Sequence, residues 1–298
     1  MRNPQSLVTA SACVLADGAW GTEFQKLGLE PGASPERWNL EHPDRVARVA
    51  RSYVDSGSRV ILTNTFGGNS FILGRHGLAD RLEEVNRRGA EISREAAGDR
   101  ALVFGSMGPT GKLLQTGEVT EDEIFETYRR QAAALWRGGA DAILIETMID
   151  VDEMKIAARA ARGATPLPLV LSMTFDSGKQ KTQTMMGVTP EQAVQEMEAS
   201  GAWMIGANCG LGPEFYVSVC RKLRAATRRP VWIKANAGIP QMLGTEVVYP
   251  QSPGTFGEFA LELRQAGANV IGGCCGTTPD HIRHLGALLA GSPAPHEV

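Results

Sequence analysis

The sequence predicts an α/β protein, a (β/α)8 TIM barrel of one domain, and three observations carry that prediction. Eight short apolar runs recur along the 298-residue chain, each followed by an amphipathic segment. Most runs are continuously apolar, as in Ala142-Ile143-Leu144-Ile145 and Leu169-Val170-Leu171, which marks parallel strands buried on both faces. Nearly every run ends in a polar residue or a cysteine. A doubly wound open sheet, the architectural alternative, would instead gather its polar residues at one switch-point cleft.

The predicted strands are Cys13–Asp17, Arg59–Asn64, Ala101–Ser106, Asp141–Glu146, Pro168–Thr174, Trp203–Asn208, Val231–Asn236 and Asn269–Cys274. Their carboxyl ends advance by about 37 residues, room for a strand, a helix and two loops. The helical spacing is explicit in Asp44–Ser56, with Val46, Val49, Ala50, Tyr53 and Val54, and in Glu121–Arg137, with Ile124, Tyr128, Ala132 and Leu135. Pro190–Ala199 and Pro213–Ala226 each open on a proline ahead of an acidic residue, a helix-start pattern. Gly57, Gly139, Gly201 and Gly267 stand where C-cap glycines belong. A last helix starts at Pro279-Asp280, with Thr278 as its N-cap. No linker divides the chain, so a single domain is expected over 1–298 with its core at about 12–289. The tail from Gly291 to Pro295 reads as a frayed end.

The composition excludes several partners. Net charge is −3 and 43% of residues are hydrophobic, so neither nucleic acid nor an anionic membrane is expected. Met1-Arg2-Asn3-Pro4-Gln5-Ser6 has no apolar run behind a basic cap, and no signal peptide is expected. No apolar stretch approaches the roughly 18 residues of a membrane span. The five cysteines are odd in number and unevenly spread, which fits a reducing cytoplasm better than a disulfide scaffold.

In a barrel the carboxyl ends of the strands converge on one face. There the sequence places Asp17-Gly18, Thr63-Asn64-Thr65, Gly105-Ser106, Glu146-Thr147, Thr174, Asn208-Cys209, Asn236 and Cys274-Cys275. Three thiolates from two strand ends (Cys209, Cys274 and Cys275) would make a zinc site with one position left open, the arrangement of a catalytic zinc. Cys13 and Cys220, at a strand start and in mid-helix, read as small hydrophobes. Glu146 ends a wholly apolar strand, so its charge needs a partner: a substrate ammonium or a neighbouring strand end. Asp17 either caps a turn or binds ligand. Asn64, Asn208 and Asn236 either bond loop backbone or, for Asn236, reach a metal. Lys234 reads as an inward lysine paired within the barrel, with a Schiff-base aldolase lysine as the alternative. The glycine pairs of Gly67-Gly68 and Gly108–Gly111 lack phosphate-loop spacing. None of the five histidines ends a strand, which argues against a histidine general base.

Read together, Asp17-Gly18-Ala19-Trp20-Gly21-Thr22, Thr63-Asn64-Thr65-Phe66, Gly105-Ser106-Met107-Gly108-Pro109-Thr110-Gly111, Asp141 to Thr147, Gly206-Ala207-Asn208-Cys209-Gly210 and Gly272-Gly273-Cys274-Cys275-Gly276-Thr277-Thr278-Pro279 resemble the homocysteine S-methyltransferase family. The resemblance runs in order from about residue 12 to 289. Asn208 to Pro213 and Lys234 to Pro240 look most like the homocysteine-binding barrel of cobalamin-dependent methionine synthases. The resemblance implies zinc-dependent methyl transfer to homocysteine, giving methionine, with Zn2+ on Cys209, Cys274 and Cys275. The homocysteine sulfur would take the open position, which Asn236 fills when substrate is absent. Asp17 and Glu146 would bind the amino-acid end, helped by backbone amides around Gly18, Ala19 and Trp20. No catalytic side chain is implied beyond the zinc-activated thiolate.

The donor implied is a methylcorrinoid (methylcobalamin) carried by a separate corrinoid protein docked on the barrel mouth. Betaine and S-methylmethionine are the alternatives. Against betaine, the aligned positions of that branch's donor-cage tyrosines read Gly67 and Thr147, and its C-terminal dimerisation extension is absent. Trp20 and Trp38 either face a cationic donor or belong to the core. The loop Ser177–Met186 either covers the mouth, docks a partner or is solvated. A non-catalytic homocysteine- and zinc-binding subunit is the reading from a different functional class.

Overall fold

The computed structural model describes residues 4–9, 13–244 and 246–291. Eight parallel strands form the wall: β1 Val14–Leu15, β2 Val60–Leu62, β3 Leu102–Met107, β4 Ala142–Met148, β5 Leu169–Met173, β6 Met204–Cys209, β7 Val231–Ala235 and β8 Val270–Gly273. Each pairs with its neighbour in chain order, and β1 pairs with β8 through Val14–Val270 and Leu15–Ile271. The ring closes where Ala16 bridges Val60 in parallel and Arg59 N–H donates to Leu15 O at 2.8 Å. That closure excludes the open doubly wound sheet.

Eight helices follow the strands: α1 Pro43–Asp55, α2 Leu82–Ala97, α3 Glu121–Arg137, α4 Val151–Ala164, α5 Pro190–Ala199, α6 Pro213–Ala226, α7 Pro253–Gln265 and α8 Pro279–Gly291. Those at Glu121, Pro190, Pro213 and Pro279 start where the sequence predicts, and the one predicted from Asp44 starts one residue earlier, at Pro43. Thr120 and Thr189 each form a complete capping box, with Glu123 and Gln192 respectively. Ahead of α8 the Thr278 hydroxyl meets His281 Nδ1 at 3.0 Å. Gly57 and Gly267 adopt φ of 98° and 100°, a conformation that costs glycine least.

Several short elements escaped the sequence pattern, among them the helices Gly21–Lys26 and Ser70–Gly74. A short helix, Pro4–Thr9, precedes β1, and a two-stranded hairpin, Gln241–Leu243 with Glu246–Val248, interrupts the loop after β7. All are too short for their periodicity to register. Residues 292–298, most of the tail expected to fray, lie outside the described residues.

The core has two shells. The outer one lies between wall and helices and includes Phe24, Trp38, Tyr53, Tyr128 and Tyr216. The inner one fills the barrel with every second strand residue: Val60 and Leu62, Leu102 and Phe104, Ala142 and Leu144, then Val170, Met204, Trp232 and Val270. Val8 of the first helix joins this inner cluster. Carried forward along the strands, the same inward phase reaches Ser106, Glu146, Ser172, Asn208 and Lys234. A polar layer therefore sits on the apolar fill, at the carboxyl ends of the strands. No helix among the described residues is long and apolar enough to cross a membrane.

Candidate functional site

The polar layer is a connected network. Glu146 Oε1 accepts from Ser106 Oγ at 2.6 Å, and Glu146 Oε2 accepts from Asn208 Nδ2 at 3.1 Å. Asn208 Oδ1 in turn accepts from Ser172 Oγ at 2.6 Å and from Thr147 N–H at 2.9 Å. Asn208 is thus a hub that orients Glu146, not merely a loop anchor. Burial raises the Glu146 pKa above its ordinary value, while Lys234 and Ser106 pull it back. At that point β4 is irregular: its register to β5 shifts after Ile145, and Thr147 adopts φ of 61°.

Asp17 closes the other side of the layer. Its Oδ1 accepts from Lys234 Nζ, and its Oδ2 accepts from Trp20 Nε1 and Leu62 N–H, both at 2.7 Å. Burial works against the Lys234 charge, but Asp17 and Glu146 outweigh it and hold the pKa above the ordinary lysine value. Its Nζ is held by the Asp17 carboxylate in a buried pair, which favours the paired-lysine reading over the Schiff-base one. Lys234 is the inward, paired lysine that the sequence suggested. In the turn after Asp17, Ala19 N–H donates to Thr277 Oγ1 at 3.1 Å, and that amide is already engaged. Trp38 belongs to the core, and Trp20 is half-buried.

The cysteines converge above this layer. β6, β7 and β8 are adjacent, with Cys209 in register with Ala235 of β7. Cys274 N–H donates to Ala235 O at 2.7 Å, and Ala237 N–H to Cys275 O at 2.9 Å. The end of β7 therefore spaces Cys209 from Cys274 and Cys275, and the three sulfurs lie within 4.8 Å of one another. Cys209 adopts φ of 65°. A left-handed non-glycine residue costs about 1–3 kcal/mol and clusters at functional sites. Contacts from Cys209 and Cys274 hold the Cys275 pKa well below its ordinary value. Cys274 and Cys275 act in opposite senses on Cys209, and with burial it is pushed up to about 12.

Asn236 stands between these cysteines. Its Nδ2 donates to Gly210 O at 2.9 Å, whereas its buried Oδ1 has no hydrogen-bond partner among the described residues. A buried carbonyl oxygen without a partner is costly, and a metal held by the three sulfurs would give it one. Three sulfurs about 2.3 Å from a tetrahedral zinc stand roughly 3.8 Å apart, so the donor set fits a soft metal. Cys13 and Cys220 lie elsewhere, and burial pushes both thiols up to about 12. They are small hydrophobes, as expected.

Other sequence candidates are structural. Asn64 Nδ2 donates to Pro35 O and Asn39 Oδ1. Gly67 N–H is taken by Glu36 at 2.7 Å, and Gly68 packs against Asn86 and Gln131, so that turn cradles no phosphate. One residue beside the cysteines went unpredicted. Tyr249, just after the hairpin, packs its ring against Gly276, next to Cys275. No apolar run or strand end marks its position.

Around the mouth the surface is apolar. Among the described residues the exposed large hydrophobic side chains, Trp136 excepted, lie in loops that follow strands: Phe66 after β2, Leu113 after β3, Met185 and Met186 after β5, and Met242, Leu243 and Val247 in the hairpin after β7. In the loop 177–186 Ser177 bridges Gln183, which leaves both methionines outside that turn.

The homocysteine S-methyltransferase family matches residues 14–289. The chain belongs to that family. Methionine synthases of Mycobacterium leprae and Mycobacterium tuberculosis are each 33% identical to it, over 94% and 97% of the chain. The chain spans only about a quarter of those relatives, 24% and 25% of their lengths. The homocysteine methyltransferase MmuM of Escherichia coli, solved in a metallated form, superposes with a TM-score of 0.80 at 21% identity, over 95% of this chain and 98% of that one. At that identity the likeness speaks for the shared barrel. The strand ends at 17, 106, 146, 208 and 274 that form the face just described all lie inside the matched span.

Proposed function

We propose that this barrel is a homocysteine-binding domain that transfers a methyl group to the homocysteine thiol, giving methionine, with zinc on Cys209, Cys274 and Cys275. The observation that carries the reading is the convergence of three sulfurs beside the unpartnered Asn236 oxygen. A zinc ion held there would keep the homocysteine sulfur as a thiolate at neutral pH. Asn236 Oδ1 would offer the metal its fourth donor while homocysteine is absent, and the homocysteine sulfur would use that position. Glu146, oriented by Ser106 and Asn208, receives the ammonium group. Asp17, fixed by Lys234, sets the wall opposite, and the turn at Gly18–Trp20 receives the carboxylate. No side chain is required as a base, in keeping with the absence of histidine from the strand ends.

The methyl donor in this reading is a methylcorrinoid carried by a partner protein. Two facts support it: relatives 33% identical to this chain are named methionine synthase, and the mouth is ringed by exposed apolar side chains of the kind that protein interfaces cover. The test is methionine formation by the zinc-loaded chain from homocysteine and free methylcobalamin. Methionine formed, and abolished by Cys275→Ala, supports the proposal. Zinc and homocysteine bound with no methionine from methylcobalamin, but turnover with betaine or S-methylmethionine, overturns the corrinoid donor and keeps the homocysteine reaction. Binding without turnover on any donor overturns both and leaves a thiol-binding subunit.

A further inference from the structure

Among the described residues three non-glycine residues adopt positive φ: Thr147 at 61°, Lys181 at 55° and Cys209 at 65°. Two of them meet at Asn208. Its side chain holds the first: Thr147 N–H donates to Asn208 Oδ1 at 2.9 Å, and Asn208 Nδ2 donates to Thr147 Oγ1 at 2.7 Å. Its backbone leads into the second. Asn208 O, the carbonyl of the peptide ahead of Cys209, accepts from Thr174 Oγ1 at 3.0 Å and from Tyr216 Oη at 2.9 Å. Tyr216 lies in the first turn of α6 and is 0% exposed. The turn after Cys209 packs on the same two side chains: a Cβ at Gly210, which adopts φ of 60°, would lie 3.0 Å from Thr174 Cγ2 and 3.4 Å from Tyr216 Oη. Left-handed backbone at a non-glycine residue persists only where its surroundings over-determine it, and here two donors from two elements do so.

We propose that Tyr216 and Thr174 are positioning residues that make the Asn208–Cys209 peptide a fixed spacer between the ammonium subsite at Glu146 and the metal ligand Cys209, so that the site selects a thiol amino acid by length, homocysteine over cysteine. This rests on the homocysteine reading above. Asn208 serves both ends of that substrate. Its Nδ2 donates to Glu146 Oε2, which receives the ammonium group, and its own peptide aims the Cys209 side chain at the metal. A carbonyl oxygen has two lone pairs. Tyr216 and Thr174 engage both, so the plane of the peptide cannot tilt without breaking a buried hydrogen bond. Cysteine is one methylene shorter than homocysteine. With its sulfur on the metal, its ammonium group falls short of Glu146. A methylene is worth roughly 10–200-fold in discrimination, but only where the two ends of the site hold their separation. A spacer that slackens lets the shorter ligand reach both.

The test is calorimetric binding of L-homocysteine and of L-cysteine to the full, zinc-loaded chain. The wild-type chain should favour homocysteine by roughly 10–200-fold. Tyr216→Phe keeps the ring and removes only the hydroxyl. Its affinity for homocysteine should fall by roughly fivefold or more, the worth of one buried hydrogen bond, while its affinity for cysteine holds or rises, so the preference narrows. Tyr216→Phe with Thr174→Val frees the carbonyl on both sides and should narrow the preference further. Tyr128→Phe removes an equally buried hydroxyl, one bonded to Gly108 O and Glu153 Oε1. It should lower the melting temperature and leave the preference unchanged. An equal narrowing in Tyr128→Phe would reduce the effect to general loosening and overturn the inference. An unchanged preference in Tyr216→Phe, or none in the wild-type chain, overturns it too and leaves the homocysteine reading standing. A zinc-loaded wild-type chain that binds no homocysteine overturns both.

Discussion

Lys234 Nζ lies 2.5 Å from Asp17 Oδ1, and the two side chains, 217 residues apart in sequence, are 3% and 0% exposed. The pair ties β7 to the end of β1 across β8, beneath the proposed substrate. A buried pair of this kind contributes little net stability against an apolar substitute, yet removing one partner strands a charge. Lys234→Met is expected to cost about 3–5 kcal/mol in urea denaturation. Lys234→Met with Asp17→Leu should cost clearly less than the sum of the single changes. Additive losses would show that the two charges are not coupled. Borohydride reduction with carbonyl compounds should leave no adduct on Lys234.

The three sulfurs act as one unit, so losing any of them should empty the site. The wild-type chain is expected to bind about one zinc, by elemental analysis, and Cys209→Ala to retain none after dialysis. Cys220→Ala should retain it, since that thiol packs in the outer shell between wall and helices. Chelator treatment should abolish methionine formation, and added zinc should restore it. Full zinc occupancy in Cys209→Ala would reject the cluster as the metal site.

Glu146 should show itself in both binding and stability. Loss of a charged hydrogen bond to an ammonium group costs about 1.5–3 kcal/mol, so Glu146→Gln is expected to weaken homocysteine binding by about tenfold or more in calorimetry. Burial raises the folded-state pKa of Glu146 above the ordinary 4.5. Between those two values the native protein holds more protons than the unfolded chain. The Glu146 contribution to stability therefore falls as pH rises through that window. Glu146→Gln should remove this slope from denaturation curves taken across it. An unchanged slope would assign the effect to another group.

His281 carries the opposite sign. It is 6% exposed, and burial lowers its pKa from the ordinary 6.5. As pH falls below about 6.5 the unfolded chain takes up a proton that the native imidazole refuses, so stability declines toward acid. The effect should appear as a falling melting temperature below that pH. His281→Gln should flatten the curve. Because His281 also meets the carbonyl of Gln251, the same substitution should loosen the segment that carries Tyr249.

Much of the fold was legible because it is written in local chemistry. Continuous apolar runs at regular steps are buried parallel strands, and the prolines ahead of acidic residues at 190 and 213 are helix starts. The cysteines were legible for the same reason, since each stands at or just past a strand end. Short elements left no trace, among them the helix Pro4–Thr9 and the hairpin after β7. Tyr249 was invisible because its only distinction is a contact with Gly276, 27 positions away.

The sequence alone determined the order of strands and helices and the residue types at the end of each strand. It could do so because hydrophobic periodicity and caps depend on neighbours within a few residues. Tertiary structure alone decided which of those residues meet. Closure of β1 onto β2 and β8 brought Asp17 to Lys234, Asn208 became the hub that aims Glu146, and the end of β7 set the spacing of three sulfurs. Those pairings depend on barrel register and strand adjacency, which no local pattern encodes.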